Sequence, residues 1–514
     1  MTTAASGLLR SPPASVVFKA MIVGLVLLVV TNRSRVFYPG SAADAAYDEP
    51  LPPGDIGGCP WLGSVTMFGG MNKYLSKRAS RMRGERIWKM FGFGKPLAII
   101  SGSDHIRKLL NREFEEDGGV SQVTDFGSGD LVDIFFGSES MTFETSNAKK
   151  HHLLQRLVGQ ALTPESVARG MPSLQRCAEG SVSEMLASKT VVMEDVLKRF
   201  TVNIAWRQII GLNLKGDDDI SAFRSAVAAW MKGVANYFLF LIPWPMWLIR
   251  TNPSFKAKAY LNRKIEERID ELEAKGPDGS TMSAMVFATD KEDGSATLSR
   301  QQVIDNTFLL ILAGSETSSN TLVNAMLLIG MHPDCWDKLV SEQEEVAAKH
   351  GVELTKDVID KDCPYLNGVV KETMRLLPIS FGGVRELDET LVLEGYQIPK
   401  GYWGTYSAFL THEQDSKTYL EDGSHMDIRT GFKPERWLDE ETRPTTEFIP
   451  FGAGHRFCLG HTLAMAEMKT FIAIMARRLR NFDLITNTDK LKWKEGVIIT
   501  PKDGVVVAAH GKED

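Results

Sequence analysis

A single cysteine lies in a glycine-rich segment whose composition suits ligand binding. Residues 451–460 read FGAGHRFCLG, and Cys458 is followed by the amphipathic run HTLAMAEMKTFIAIMARRL. Backbone N–H groups at the start of a helix favour negative charge, so they would lower the pKa of this thiol and hold a thiolate. Glycines let a backbone approach a flat ligand closely. A lone cysteine is usually a small buried hydrophobe, but this loop is too specialised for that role.

A second candidate site lies in the middle of a predicted long helix. Ser299 and Gln302 form a capping-box pattern, and Gly330 and Pro333 mark the end of the helix. About 30 residues at 1.5 Å each would span roughly 45 Å. The centre reads ILAGSETSSN, with a glycine and several hydroxyl groups where a core would need aliphatic side chains. Such a break in local rules often marks a functional site, although hydroxyls that only bond back to the helix give the same pattern.

The composition is that of an ordinary globular protein. The 514 residues are 43% hydrophobic and 24% charged with a formal net charge of −6, so no basic surface indicates nucleic acid. Five cysteines without a CxxC pair exclude a disulfide framework and indicate a reducing compartment. Length alone would allow two or three domains. No repeat, low-complexity tract or long charged linker marks a boundary, which favours one mainly helical α+β body.

The N-terminal segment is predicted to be a membrane anchor. From Ala14 to Val30 the sequence is apolar apart from Lys19, which is near the lower length limit for a membrane-spanning helix. Two arginines follow, and they would keep the rest of the chain on the cytoplasmic side. We therefore assign residues 1–38 to an anchor. A targeting peptide is the alternative, because no acidic residue precedes Asp44.

Proline and glycine mark the next segment, and β-prone runs appear later. Residues 39–60 are predicted to be a stiff linker, which leaves 61–514 for the main folded domain. The run RIWKMFGFGKPLAIISG predicts a hairpin, and ETLVLEGYQIPKG and VIITPKDGVVVAA predict further short strands. In the last of these, Asp503 and Gly504 form a hairpin turn signal.

Four motifs along the chain resemble those of the cytochrome P-450 superfamily. The loop at 451–460 resembles the haem-ligating loop of that family, KETMR at 371–375 its ExxR motif, FKPERW at 432–437 its PERF-like segment, and AGSETS at 313–318 its oxygen-activating stretch. The resemblance begins near Leu51 and extends to the C-terminus. It implies the cytochrome P-450 fold, which is mainly α (α+β): a single large helical body with small β-sheets, here preceded by the N-terminal membrane anchor.

The resemblance implies a haem-thiolate monooxygenase with heme b as its cofactor. Cys458 would be the proximal thiolate ligand of the iron. Thr317 and Glu316 would be catalytic, because a hydroxyl and an acid on the distal side would deliver protons to the oxygen substrate and keep peroxide from leaking. Other positions expected to contact the cofactor come from the loop and the long helix. They are Phe451, Gly452, Gly460, Ala313 and Gly314.

Haem carries two propionates that need cations. The resemblance offers Arg456 and Arg385 for them, with a third contact in the helix that contains NAKKHHLLQRLVGQAL. There we predict His152 and Arg156, with His151 as the alternative to His152.

A separate charged cluster is assigned to structure. Glu372 and Arg375 lie three residues apart on one helix face, where they would pair with each other. Arg436 would complete the cluster. None of the three is expected to take part in the chemistry.

The resemblance also implies partners and a location. The chain has no GxGxxG fingerprint and no spare length for a flavin domain, so electrons would come from an NAD(P)H-dependent reductase. Lys149, Lys150 and Arg156 would form part of its docking face, or else an ordinary solvated face. The other partners would be O2, a small apolar substrate and the membrane, but no nucleic acid. We predict anchoring at the endoplasmic reticulum with a cytoplasmic catalytic domain, or a plastid or mitochondrion if the N-terminus is a transit peptide.

The substrate class follows from resemblance alone. The segment VANYFLFLIPWPMWLI at 234–249 would roof the pocket and dip into the membrane, or would be buried core. The linker and the AGSETS variant are most similar to the branch that oxidises sterols, retinoids, carotenoids and other terpenoids. Pocket candidates by family placement are Phe126, Phe308, Leu312 and Phe381.

Three other functions remain open from the sequence. A haem-thiolate isomerase or dehydratase would need no external electrons. A non-catalytic haem carrier or sensor would need neither Glu316 nor Thr317. A cysteine hydrolase would use Cys458 with His455 or His461, and it would be colourless when purified.

Overall fold

The structure is a computed structural model that describes most of the chain. The described residues are 40–54, 71–92, 94–114, 119–123, 137–144, 147–234, 251–290, 294, 297–380, 382–495 and 498–512. The α-helices are α1 (Met71–Arg81), α2 (Ser103–Asn111), α3 (Ala148–Gly159), α4 (Pro164–Leu186), α5 (Met193–Ile204), α6 (Gly216–Val234), α7 (Pro253–Lys275), α8 (Thr281–Val286), α9 (Arg300–Met331), α10 (Pro333–His350), α11 (Lys356–Lys361), α12 (Pro364–Leu376), α13 (Ala408–Glu413) and α14 (His461–Arg478).

The strands are short and belong to four sheets. They are β1 (Ile87–Gly92), β2 (Lys95–Ile100), β3 (Val120–Gln122), β4 (Val191–Val192), β5 (Val384–Leu387), β6 (Leu391–Leu393), β7 (Tyr396–Ile398), β8 (Trp403–Tyr406), β9 (Leu479–Leu484), β10 (Trp493–Glu495), β11 (Ile499–Pro501) and β12 (Val506–Gly511). The sheet orders are β1-β2-β8-β5-β3, β4-β12-β9, β10-β11 and β6-β7. The mainly helical prediction is confirmed.

The predicted long helix is α9. Its N-cap is Ser299, whose side chain accepts from the backbone N–H of Gln302 while the Gln302 side chain accepts from the Ser299 backbone N–H. This closes the capping box that the sequence predicts. The helix has 32 residues, so it is about 48 Å long. Its C-terminal half is buried nearly all round and packs on α5, α12 and α14.

Two of the predicted strand segments form antiparallel hairpins, and the third does not. β1 pairs with β2 from Ile87 opposite Ile100 to Gly92 opposite Lys95, and β6 pairs with β7. The turn signal at Asp503 and Gly504 was misleading, because β11 pairs with β10 whereas β12 pairs with β9 and β4. Gly504 has a φ of +78°, so it turns the chain between two sheets.

The core places the cysteine loop beside the long helix. A buried cluster joins side chains of α4, α5, α9, α10, α12 and α14. Because α14 begins at His461, three residues after Cys458, and is buried along most of its length, it fixes the end of the loop. A smaller cluster under the five-stranded sheet includes Ile449 and Ala453, which fixes the beginning of the loop.

Several predictions concern residues that the structure does not describe. These are the anchor at 1–38, part of the linker, the apolar segment from 235 to 249, and the pocket candidates Phe126 and Phe381. In the part of the chain that is described, no helix is both long enough and apolar enough to cross a membrane.

Candidate active site

A cavity of about 310 Å³ lies between the cysteine loop and the middle of α9. Phe457, Cys458 and Gly460 line it on one side. Ala313, Gly314, Thr317 and Ser318 of α9 line the other. The two segments that the sequence singled out are therefore brought to one space.

Backbone geometry shapes the cysteine loop. The Cys458 N–H donates to the Phe451 carbonyl oxygen over 3.0 Å, which closes the loop. Gly452 and Gly454 have φ values of +74° and +63°, a region that favours glycine. Phe451 and Gly452, which were predicted to contact the cofactor, are not among the cavity-lining residues. Phe451 and Gly452 shape the backbone of the loop, and Gly460 is the glycine of the loop that lines the cavity.

The Cys458 thiol does not behave as the sequence predicts. Burial raises its pKa, although a hydrogen bond from the Gly460 backbone N–H acts to lower it. Desolvation of the charged form thus outweighs the effect of the helix start. Since a metal ion binds the thiolate form, a coordinated cation would reverse this balance. Nδ1 of His461 contacts the Cys458 carbonyl oxygen at 3.2 Å and not its sulfur, so the cysteine hydrolase gains no support.

The α9 side of the cavity presents small residues and one hydroxyl. A Cβ added at Gly314 would meet only Ile209 Cδ1, at 4.0 Å, so the helix leaves room there. Thr317 Oγ1 donates to the Ala313 carbonyl oxygen over 2.5 Å. This bond fixes the hydroxyl at the cavity surface. A hydroxyl that bonds back to its own helix can have a purely structural role, which the sequence left open. The position of Thr317 at the cavity is what favours a functional role.

Glu316 does not line the cavity. Its Oε2 accepts a hydrogen bond from Asn320 Nδ2 over 3.3 Å, and its backbone oxygen accepts one from the same amide. Consecutive residues of a helix differ by about 100° in direction, and Glu316 falls outside the arc formed by Ala313, Gly314, Thr317 and Ser318. The structure therefore does not bring the predicted acid to the site.

The predicted contacts on α3 are displaced by one residue. His151 is 1% exposed and lines the cavity, whereas His152 does not line it and its ring contacts those of Phe114 and His455. Gln155 lines the cavity in place of Arg156, whose guanidinium pairs with Asp290 at 2.8 Å. Residues four apart share a helix face, so the prediction of His152 as a propionate contact also led to the prediction of Arg156. The structure thus places the alternative His151 at the cavity, and His152 and Arg156 away from it.

The imidazole ring of His151 is uncharged at neutral pH, so it can donate or accept a hydrogen bond as a neutral group. Burial lowers its pKa to about 4, and nearby Arg456 adds to the effect. Among the residues that the structure describes, its buried Nδ1 has no hydrogen-bond partner, which is unusual for a buried polar atom. An atom of this kind is available to a ligand in the cavity.

Arg385 and Arg456, the two arginines that the resemblance assigned to the propionates, both line the cavity. Between them lies Glu113, which the sequence analysis missed. Its Oε1 accepts from Arg456 Nε over 2.8 Å, and its Oε2 accepts from Arg385 Nε over 3.1 Å. No local pattern could have revealed Glu113, because its partners are 272 and 343 residues away.

Glu467 is a second missed residue at the cavity. It is fully buried on α14, and burial raises its pKa to about 8, so it is mostly protonated at neutral pH. A single carboxyl group inside the apolar run AMAEMKTF was the signal that could have identified it. Phe308 and Leu312, by contrast, do not line the cavity, and Phe308 packs on Trp230 with ring centroids 5.1 Å apart.

The predicted structural cluster is assembled away from the cavity. Arg375 makes two hydrogen bonds to the Glu372 carboxylate, over 2.8 and 2.9 Å, and Arg436 adds one over 3.3 Å. The Lys433 N–H and the Trp437 indole N–H donate to the same carboxylate. None of these residues lines the cavity. The cluster ties α12 to the segment that carries the PERF-like motif.

The proposed basic docking face is largely neutralised by ion pairs within the chain. Lys150 pairs with Glu144 at 2.9 Å and lies 3.7 Å from Glu139, and Arg156 pairs with Asp290. Lys149 alone of the three has no ion pair among the described residues. These residues therefore do not form the positive patch that the sequence suggested.

His412 of α13 connects α12, the helix that contains the ExxR motif, to the segment that leads into the cysteine loop. Its Nε2 accepts from the Ile449 N–H over 3.2 Å, so the proton is on Nδ1, which donates to the Arg375 carbonyl oxygen over 3.0 Å. Because Nε2 can accept only when it carries no proton, the bond from Ile449 requires a neutral ring. Burial lowers the pKa of His412 to about 3.

We expect His412 to make the protein less stable in acid. The unfolded chain takes up the proton near pH 6.5 and the folded chain only near pH 3, so stability is full above pH 6.5 and falls as the pH drops through this window. The slope from this group is about 1.4 kcal/mol per pH unit. Urea unfolding at pH 7 and pH 4.5 should show a smaller loss for His412→Asn than for the wild type. Equal losses would refute the assignment.

The residues at the cavity fit a haem. A sulfur donor faces small residues across the cavity, and two arginines with an unpartnered imidazole nitrogen suit the propionates. A Cβ at Gly460 would meet nothing within 4 Å, so the loop leaves space for a flat ring. When bound, haem supplies the one-electron and O2 chemistry that side chains lack.

The chain is similar to named proteins along most of its length. A Synechocystis protein named cytochrome P450 120 is 27% identical over 465 residues, which cover 90% of this chain and 97% of the relative. Cytochrome P450 26A1 of Gallus gallus is 26% identical over 493 residues, with 94% of each chain covered. The solved structure "Retinoic acid bound cyanobacterial CYP120A1" has a TM-score of 0.72 and 27% identity, and the match covers 90% of this chain and 100% of that one.

The predicted location at the endoplasmic reticulum is wrong. The relative from Synechocystis and the solved structure are cyanobacterial proteins, from cells without that organelle. The segment from Ala14 to Val30, on which the prediction rested, lies outside the described residues. We therefore withdraw that location together with its plastid and mitochondrial alternatives.

The sequence model of the family "Cytochrome P450" matches residues 52–507. This range contains the cysteine loop, the centre of α9 and the buried cluster around Glu372. Members of this family bind haem through a cysteine thiolate and receive electrons from a redox partner. The chain belongs to the cytochrome P450 family of monooxygenases.

Proposed function

We propose that this chain inserts one oxygen atom of O2 into an apolar isoprenoid substrate, such as a retinoid, carotenoid, sterol or other terpenoid, with electrons from an NAD(P)H-dependent reductase. The observation that carries the proposal is the single cavity that both Cys458 and Thr317 line. Leu162, Ile209 and Leu310 also line it, and an apolar substrate would be desolvated there at little cost.

Each residue at the cavity receives one role in this proposal. Cys458 would be the thiolate ligand, within a catalytic body that runs from residue 61 to the C-terminus. Arg385, Arg456 and His151 would hold the propionates, and Ala313, Gly314 and Gly460 would leave room for the ring. Thr317 would hold a proton donor on the distal side of the cavity. We assign no cavity contact to Glu316.

The substrate class rests on two supports. The solved structure with TM-score 0.72 is of a protein bound to retinoic acid, which is an isoprenoid acid. Leu309, Leu310 and Ile209 give the cavity an apolar part, against which such a molecule would pack. Retinoic acid is therefore the first compound to test as a substrate.

Thr317→Ala tests the proposed mechanism. We expect haem content to stay at the wild-type level while product per nicotinamide oxidised falls by about a hundredfold, the lower end of what a positioned proton donor contributes. The lost electrons should appear as hydrogen peroxide. The assay combines purified protein, a reductase system, NAD(P)H and retinoic acid, and measures product and peroxide together.

Thr307→Ala is the matched control. Thr307 Oγ1 also bonds back to its own helix, to Val303 O over 2.7 Å, but the residue is fully buried and does not line the cavity. This variant should keep wild-type coupling. Full coupling in Thr317→Ala would contradict the role of Thr317, and product formation without any electron donor would indicate an isomerase or dehydratase.

A further inference from the structure

A buried carboxylate joins the two arginines that line the cavity. The Glu113 side chain is 1% exposed, and each of its oxygens accepts a hydrogen bond from a different guanidinium, of Arg456 at 2.8 Å and of Arg385 at 3.1 Å. Hydrogen bonds between two charged groups are among the strongest in proteins. Glu113 thus fixes the distance between the arginines, although it does not itself line the cavity.

The backbone around Glu113 is held in place for this contact. Glu113 forms a bridge with Val120, at the edge of the five-stranded sheet. The next residue, Phe114, has a φ of +73°, an outlier for a bulky side chain. Its ring lies under the Arg456 guanidinium, with the guanidinium carbon 5.2 Å from the ring centroid. The pair Glu113 and Phe114 therefore contacts Arg456 with a carboxylate and an aromatic face.

The other contacts of Arg456 do not neutralise its charge. Its Nη1 and Nη2 donate to the backbone oxygens of Met141 and Glu144, at 3.0 and 2.8 Å. The Glu144 carboxylate itself pairs with Lys150 at 2.9 Å. The ion pair with Glu113 is therefore the contact that brings a formal negative charge to both cavity arginines.

The two cavity arginines carry two positive charges and face one carboxylate, that of Glu113. Bound haem would add two propionates, so three carboxylates would then share the same two arginines. If the propionates paired with the arginines, Glu113 would be an excess negative charge near the cofactor. Negative charge near the iron stabilises the oxidised, more positive state.

We propose that Glu113 is an internal counter-ion of Arg385 and Arg456, which stabilises the haem-free chain and lowers the midpoint potential of the haem-loaded one. This inference rests on the proposed placement of haem in the cavity. It makes Glu113 a positioning residue, because it acts through the two arginines and not on the substrate.

Glu113→Gln separates this role from simple packing, because it keeps the shape and removes the charge. The thermal midpoint should fall more in the haem-free variant than in the haem-loaded variant, since only the haem-free arginines lose their counter-ion. The midpoint potential of the loaded variant should shift to a more positive value. Glu113→Asp, which keeps the charge, should restore most of the wild-type potential.

Glu342→Gln is the control for loss of a half-buried carboxylate elsewhere. Glu342 accepts from the backbone N–H groups of Tyr365 and Leu366, and it does not line the cavity. This variant should lose stability equally with and without haem and keep the wild-type potential. If Glu113→Gln behaves in the same way, the proposal is overturned.

Two further results have separate meanings. If Glu113→Gln does not fold without haem but folds when haem is supplied during expression, the proposal is supported, because haem then replaces the missing counter-ion. If Glu113→Asp, despite its charge, shifts the potential as far as Glu113→Gln does, the proposal is overturned. A wild-type chain that takes up no haem would instead overturn the proposed function.

Discussion

Replacing Glu372 by alanine should leave little or no folded protein. The carboxylate is completely buried and accepts hydrogen bonds from Arg375, Arg436, the Lys433 backbone and the Trp437 indole. Its removal leaves buried guanidinium groups without a counter-ion, which lowers the free energy of unfolding by about 3 to 5 kcal/mol. Since domains have net stabilities of only about 5 to 15 kcal/mol, this is a large fraction of the total. Soluble yield, circular dichroism and haem content measure the effect.

The neighbouring Glu435 provides the control. It belongs to the same segment, but its carboxylate is about half exposed and pairs with Lys338 at the surface. Exposed ion pairs contribute at most about 1 kcal/mol, so Glu435→Ala should fold and bind haem. Wild-type stability in Glu372→Ala would show that the cluster does not hold the fold together.

Replacing Cys458 by alanine should abolish monooxygenase activity. Loss of even outer-shell partners of a metal costs about 10- to 100-fold in affinity or activity, so loss of the ligand should cost more than about 100-fold. Haem content should also fall sharply. Product formation with retinoic acid and haem content measured as the pyridine haemochrome provide the two readouts.

Cys363→Ala is the matched control for this substitution. Cys363 is fully buried in the helical core and does not line the cavity. The variant should lose some stability but keep its haem and activity. An active, haem-loaded Cys458→Ala protein would mean that another residue is the ligand.

Local patterns predicted the elements that carry the site. The capping box of α9, the hairpin of β1 and β2 and the helix after Cys458 each depend on residues close in sequence, and all three are present. Their interactions follow from helix and strand geometry. The same reasoning failed at Asp503 and Gly504, because the partners of β11 and β12 are set by long-range sheet pairing.

The interior of the site could not be predicted in the same detail. Choosing between His151 and His152 requires knowing which face of α3 is buried, and one residue changes the direction by about 100°. Glu113 meets its arginines only because the residues after α2, the five-stranded sheet and the cysteine loop come together in the fold. Desolvation of Cys458 also depends on packing by distant residues, which is why its pKa changes in the opposite direction to the one predicted.

The absorption spectrum of the reduced protein with carbon monoxide tests the central claim most directly, namely that Cys458 holds the haem iron as a thiolate. Thiolate ligation moves the main band to longer wavelength than imidazole ligation does. We predict the red-shifted band in the wild type and its loss in Cys458→His, which keeps a ligand but removes the sulfur. A wild-type spectrum without this band, or a Cys458→His spectrum that retains it, would contradict the account.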